Sequence, residues 1–505
     1  MRVLVALSVA LAVGLLAVAV AAGLGAPWAL VAVAAGLCAA LGFWATWRHP
    51  AVALDAAASS RGLAWLSGPG TLAALVLLTR LLVFMADPAQ VGASLVPSSD
   101  WEVRHSCLTA YSVAAQAVER TPRIYDDALY DAPGSSATGV RTPRMLGPFR
   151  VDVFEYPPPF LLLPRAVGVL APDFLRQRLL WFALEAGLML GALLAVARAL
   201  GPTVGTRALL MSPLVWVAYP TLSVLQKGNV QGAVIAASML AMLLFERRRW
   251  AAGGAVLAFV TLSKLFPGML LVYLLARRQW RALAWTAVMG AVWLGLSLLD
   301  LGGAPYAAFL ERLPQILGGE AFPAFRNPAA MAINFSVPGL AFKLKLFGVP
   351  GMGFAAAKAL GWVYTLVVIA AAWAAGRRTS TPAERPLAWL TLLLLATLRS
   401  PFLPQAYAAF TPLWLLTLLA ATAAPHARTL AALGLTWLGL NVFWPLDWTL
   451  APRTLALLSG VPQLLTFALA ALALARVLRR GHLESRASRA ALAAGARPAA
   501  TASGL

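Results

Sequence analysis

The sequence predicts an all-α protein that crosses a membrane many times. Of its 505 residues, 61% are hydrophobic and only 12% charged, about half the charge of an ordinary soluble domain. Mean hydropathy is +0.78. Many apolar runs approach twenty residues, the length that carries a helix across a ~30 Å hydrocarbon core. The runs are continuous, whereas the strands of a membrane barrel alternate. The net charge of +21 does not mark a nucleic-acid partner. The arginines cluster in short connectors beside apolar runs, at 247–249, 277–278, 377–378 and 479–480, which is the positive-inside pattern of a cytoplasmic face.

Taken in chain order, the first 24 residues resemble a signal peptide. The run at 3–23 is too long for one, and a second span follows at once at 28–47, so residues 1–50 read as a retained two-helix extension. The core, 70–478, has further spans at 70–86, 178–199, 206–222, 229–245, 280–299, 351–375, 386–398, 402–424, 427–446 and 452–478. Segment 156–172, YPPPFLLLPRAVGVLAP, is short, proline-rich and carries an arginine; it reads as a re-entrant or interfacial helix. Segment 251–276 has 26 residues, enough for ~39 Å as one helix, but Lys264 and Pro267 interrupt it and arginines flank both ends. Read as a hairpin of two half-helices, it puts the connectors at 198–207, 247–249, 277–281, 377–385 and 426–428 and the tail on one inner side. Loop 87–155, the turn 226–229, loop 300–350 and segment 399–405 then lie outside. The tail, 479–505, is rich in Ala, Arg and Ser and reads as cytoplasmic and disordered. The Ala, Leu and Arg bias is that of a GC-rich bacterium, which places the chain in the cytoplasmic (inner) membrane.

Charge is scarce, so its placement is informative. Eight of the nineteen acidic residues fall between 100 and 155: Asp100, Glu102, Glu119, Asp126, Asp127, Asp131, Asp152 and Glu155. A solvated outer loop accounts for most of them. Asp100, in SSDWEVRH, stands about a dozen residues beyond a membrane exit. It reads either as part of a helix start, with Ser98, Ser99 or Asp100 as the cap, or as a carboxylate held at the membrane surface beside a cavity. Lys264 lies deep in an apolar segment, where charge is costly and faces a cavity or a partner; the structural alternative is a lysine satisfying half-helix carbonyls. Lys227 and Asn229 are turn residues or ligand contacts. Arg399 either snorkels or meets an anion, and Asn334 either starts a helix or lines a site. The four histidines and two cysteines are scattered, and form neither a metal-ligand pattern nor a disulfide framework. Asp126, Asp127 and Asp131 lack regular cation-ligand spacing.

In order, IYDDALY, EYPPPFLLLP, QKGNVQGAVIAASMLAMLLFERRRW, VTLSKLFPG, NFSVPG and RSPFLPQAY make up a pattern. It resembles glycosyltransferase family 87 of the GT-C superfamily, the polyprenyl-phosphate-mannose-dependent mannosyltransferase type. The resemblance covers roughly 70–420. It rests on the turn Lys227-Gly228-Asn229, the long apolar helix after it, Arg247–Arg249, the Lys264–Pro267 break, the loop at 334–339 and the S-P segment at 399–407. It implies a GT-C-like bundle of about twelve transmembrane helices plus short re-entrant or interfacial helices, with an extracytoplasmic active site. It also implies a polyprenyl-phosphate donor of a mannose-like sugar, a lipid-linked or glycan acceptor, and Asp100 as the acidic base. Where the family pattern has a histidine after the S-P segment, near the donor phosphate, this chain has Pro404-Gln405-Ala406-Tyr407.

The chemistry asks for the same residue types. A base must take the acceptor proton, here Asp100. Cations must stabilise the departing lipid phosphate; Lys227, Lys264 and Arg399 are the candidates, with Asn229 and Asn334 beside them. Tyr156 is placed to stack on sugar, and the lipid tail to lie beside 156–172 among membrane lipids. Phosphate is a good leaving group, so no cofactor and no metal is required, although a divalent cation is compatible. A polar-lipid transporter or flippase would also need intramembrane charge, but the chain shows no internal repeat. A non-catalytic relative is the third reading.

Overall fold

A computed structural model describes residues 2–48, 55, 61–133, 135, 142–379, 381, 384–404, 408, 410–423, 426–441 and 450–493. Helices α1 (Arg2–Gly23) and α2 (Trp28–Arg48) form an N-terminal hairpin. Small residues let its helices approach: a Cβ on Gly14 would stand 3.2 Å from Ala39. Helix α3 (Arg61–Ala86) leads into the loop 87–155, which holds α4 (Asp100–Arg104), α5 (Leu108–Ala117) and a two-stranded ribbon, β1 (Met145–Leu146) and β2 (Phe149–Arg150). A 3-10 turn at Pro158–Leu161 then opens α6 (Leu162–Leu170). This segment is too short to span, and its Val169 and Leu170 are exposed, as an interfacial or re-entrant piece requires.

Helix α7 (Phe174–Ala199) is followed by α8 (Gly201–Met211), α9 (Pro213–Trp216) and α10 (Tyr219–Lys227), a run bent by 63° at Val217–Ala218. The rest comprises α11 (Gln231–Glu246), α12 (Trp250–Ser263), α13 (Met269–Ala276), α14 (Trp280–Leu301), α15 (Ala304–Gly318), α16 (Pro328–Ala332), α17 (Gly339–Leu346), α18 (Phe354–Arg378), α19 (Arg385–Thr397), α20 (Phe410–Ala421), α21 (Ala427–Asn441) and α22 (Pro452–Ala493). Among the described residues, seven helices are long and apolar enough to cross a membrane, or eight if the bent run counts as one span. The chain is an all-α, multi-pass membrane protein. Several of the expected spans, α11, α19 and α20 among them, are apolar helices of 10–17 residues. Where the tail after Arg479 was expected to lack structure, α22 runs on to Ala493, as an Ala-, Leu- and Arg-rich sequence favours. Residues 494–505 lie outside the described residues, as do 405–407 of the S-P segment.

The segment 251–276 is a hairpin. Gly254, early in α12, packs on Trp285 and Thr286, early in α14. Farther along, Phe259 packs on Trp293, so α12 and α14 run parallel. The chain between them must therefore return to the side where α12 began, and α13 makes that return. The same side collects the basic connectors. Arg385 is ion-paired with Glu246, and Arg277 bonds the Thr379 carbonyl. Starting from that face, α12 and α19 end at Ser263 and Thr397, while α11 runs the opposite way from Gln231. These helices have 14, 13 and 16 residues, roughly 20–24 Å at 1.5 Å per residue. Their far ends all line one cavity, whose floor therefore lies within the thickness of a ~30 Å hydrocarbon layer.

Candidate functional site

The cavity has a volume of about 1470 Å³ and is lined by the loop 87–155, α15, the α12–α13 break and the 396–404 segment. Two loops shaped by identifiable residues build its polar wall. Helix α10 ends at Lys227 because Gly228 adopts a left-handed conformation (φ 63°). A Cβ there would also stand 3.2 Å from Trp181 and 3.3 Å from Leu108, so glycine is needed twice over. The turn aims Lys227 and Asn229 into the cavity. The second loop breaks the membrane hairpin at Lys264, which leaves the helix in an extended conformation.

Lys227, Asn229, Lys264, Arg399 and Tyr156 all line this cavity. The structure thus unites five of the seven residues singled out in the sequence, from four distant segments. Lys227 is buried and paired with Glu102 at 2.7 Å. Tyr219 donates to the same carboxylate oxygen at 3.0 Å. Lys264 donates to Gln231 Oε1 at 2.6 Å, and Gln231 in turn donates to Thr397 at 3.2 Å. Arg399 donates to Thr365 at 3.1 Å and its guanidinium lies 5.7 Å from the Trp362 ring centre. Tyr156 shares a 3.0 Å hydrogen bond with Tyr111, stacks on Phe160 and carries Lys264 over its ring at 5.3 Å. Its faces are thus already engaged, leaving Trp101 and Trp362 as the more open aromatic walls.

Asp100 and Asn334 stand elsewhere. Asp100 is not part of the cavity lining, although its neighbours Ser99 and Trp101 are. Its carboxylate is bound by Arg104 at 2.9 Å and by Arg150, itself a lining residue, at 2.5 Å. Ser99, not Asp100, caps α4 by accepting from the Glu102 amide. Asn334 is fully buried and ties two loops together. It donates to the Pro401 carbonyl at 2.9 Å and accepts from the Leu403 amide at 3.0 Å. Its side chain fixes the segment that presents Arg399, rather than touching the cavity, and Gly339 leaves room for it.

Several lining residues were not singled out in the sequence. Glu102 proves to be the buried partner of Lys227. Gln231, a polar residue opening a largely apolar helix, was a legible signal. Arg150 and Asp152 arrive through β2. The histidines and cysteines, scattered along the chain, are not all scattered in space. Ligand atoms of His105, Cys107 and Asp152 lie within 4.8 Å of one another. Burial, together with the charges of Lys227 and Arg150, pushes the His105 pKa down to about 3, so the imidazole is neutral. Phe309, Leu313, Ile316 and Leu317 of α15 form a helical stripe on the lining, so the cavity has an apolar surface as well as a charged one.

The profile of glycosyltransferase family 87 matches residues 154–403. The matched stretch contains Tyr156, Lys227, Asn229, Lys264, Asn334 and Arg399. Comparisons with curated proteins and with solved structures gave no match. The order of motifs, the cavity within the membrane and the family profile agree: the chain belongs to glycosyltransferase family 87 and is a membrane glycosyltransferase.

Proposed function

We propose that the cavity is a GT-C-type active site that moves a mannose-like sugar from a polyprenyl-phosphate donor to a glycan or glycolipid acceptor, with inversion. The observation that carries this reading is the convergence of Lys227, Lys264 and Arg399 on one cavity that an apolar stripe also lines. That combination suits a molecule with an anionic head and a hydrocarbon tail. The acceptor hydroxyl attacks the anomeric carbon as the bond to phosphate breaks, and the lipid phosphate leaves with the electron pair. The cations stabilise its developing charge. Asp100 receives the acceptor proton. Glu102 is committed to Lys227, whereas Asp100 lies between the lining residues Ser99 and Trp101 in sequence and is paired with Arg150, itself a lining residue. A phosphate entering the cavity competes for Arg150 and frees one side of that carboxylate. By the positive-inside rule the cavity opens on the extracytoplasmic side of the bacterial inner membrane.

The test is transfer by the purified protein in lipid nanodiscs, using radiolabelled polyprenyl-phosphate mannose and a membrane glycolipid extract. A labelled product that disappears in Lys264→Met and Arg399→Met supports the reading. Absence of product from any polyprenyl-phosphate hexose, with sugar-nucleotide donors active instead, overturns it.

A further inference from the structure

We propose that His105, Cys107 and Asp152 form a binding site for a divalent cation of intermediate softness, zinc, on the wall of the cavity. His105 Nε2 lies 3.7 Å from Cys107 Sγ and 3.8 Å from Asp152 Oδ2. The His–Asp separation is too long for a hydrogen bond. It is close to the spacing of ligands around one ion. With bonds of about 2.0–2.2 Å to nitrogen and oxygen and about 2.3 Å to sulfur, the corners of a tetrahedron stand ~3.3–3.7 Å apart. Two edges are therefore nearly formed, and the third lies within 4.8 Å.

The backbones that carry the three side chains are tied together. His105 and Arg150 form a parallel bridge. The Asp152 amide donates to Thr109 Oγ1 at 3.0 Å, and the Cys107 amide to the Lys227 carbonyl at 2.8 Å. This is the preorganisation a metal site requires. Supporting contacts are also in place: Asn229 Nδ2 lies 3.3 Å from the sulfur, and Trp101 stacks on His105 at 4.4 Å. One imidazole, one thiolate and one carboxylate suit zinc better than magnesium or calcium, which take oxygen ligands. The thiolate and carboxylate balance the charge of a dication. Lys227 and Arg150 nearby are each offset by their own carboxylate, Glu102 and Asp100. Binding releases the Cys107 thiol proton to solvent, with no change of oxidation state. All three ligands line the cavity, so a fourth position is reachable from it, as in catalytic zinc sites.

The site stands or falls independently of the sugar donor, because metal binding is read directly. The full chain, purified without a histidine tag and stripped with chelator, is titrated with Co²⁺. One Co²⁺ per chain is expected, with a thiolate-to-cobalt charge-transfer band. The band should persist in Cys38→Ser and vanish in Cys107→Ser, and His105→Ala and Asp152→Asn should weaken binding at least ~10-fold. In the wild-type chain, Zn²⁺ should protect Cys107 but not Cys38 from alkylation, a readout that needs no variant to fold. A missing band in the wild type, a band that survives Cys107→Ser, or unprotected Cys107 in saturating Zn²⁺ each overturns the proposal.

Discussion

Replacing Asp100 with asparagine separates a structural role from a chemical one, because the two predict effects of different size. The Asp100 side chain is 57% exposed and paired with Arg104 and Arg150. Exposed pairs contribute about 0.2–1 kcal/mol each, so losing both lowers stability by no more than ~2 kcal/mol. The cap of α4 is untouched, since Ser99 supplies it. As a base, Asp100 carries far more. Asparagine keeps the shape but accepts no proton, and turnover should fall ~10²- to 10⁴-fold, equivalent to ~2.7–5.4 kcal/mol of barrier. The assay pairs initial rates of sugar transfer in nanodiscs with thermal unfolding of the same preparation. Asp126→Asn is the control: Asp126 caps a 3-10 turn in the same loop and lies off the cavity wall. Near wild-type transfer in Asp100→Asn, or an equal loss in the control, refutes the assignment. If Asp152→Asn alone abolishes transfer under metal-saturated conditions, the base lies on the cavity wall instead.

Three further outcomes are expected. Glu102→Gln leaves Lys227 charged, 4% exposed and without its carboxylate; it should destabilise the protein by ~3–5 kcal/mol, and Glu102→Gln/Lys227→Met should regain most of that in thermal unfolding. Gly228→Ala forces a side chain into a left-handed conformation against Trp181 and Leu108; a loss of ~1–3 kcal/mol is expected, and a turn that tolerates it without loss of stability or transfer would show that Lys227 and Asn229 are not set by this geometry. In a chain otherwise free of cysteine, Arg247→Cys and Arg378→Cys should resist an impermeant thiol reagent in intact cells while Ala128→Cys reacts; labelling Arg247→Cys and Arg378→Cys from opposite sides would break the hairpin reading of 251–276.

The long helices were legible in the sequence because a span of about twenty apolar residues needs little from its neighbours. The hairpin at 251–276 was legible for a different reason: arginines at both ends left only one arrangement that kept them together. The shorter helices were overestimated, since an apolar run records composition and not the point where a cavity ends the helix. Lys227, Lys264 and Arg399 could be picked out because charge inside an oily chain is conspicuous. Glu102 could not, because its acidic neighbours masked it; only the fold shows which carboxylate turns inward. Asn334 was legible as important but not as a tie between loops, since its partners Pro401 and Leu403 lie far along the chain. His105, Cys107 and Asp152 likewise meet only through the pairing of His105 with β2.

The short helices that reach only to the cavity also constrain how the chain is made. A segment such as α12, with 14 residues followed by Lys264, cannot cover a ~30 Å hydrocarbon layer by itself. In lipid it would leave backbone groups and a charge without partners. The long helices α1, α2, α3, α7, α14 and α18 face no such difficulty, and each can lodge in the bilayer as it is synthesised. Segments α11 to α13 reach their final depth only when α14 and α18 stand beside them. Biogenesis is therefore out of step with chain order: the frame settles first, and the cavity is completed by helices that wait for partners encoded downstream. A ribosome-stalled chain ending before α14 should expose the 250–276 segment to quality-control proteases, while one that includes α18 should not.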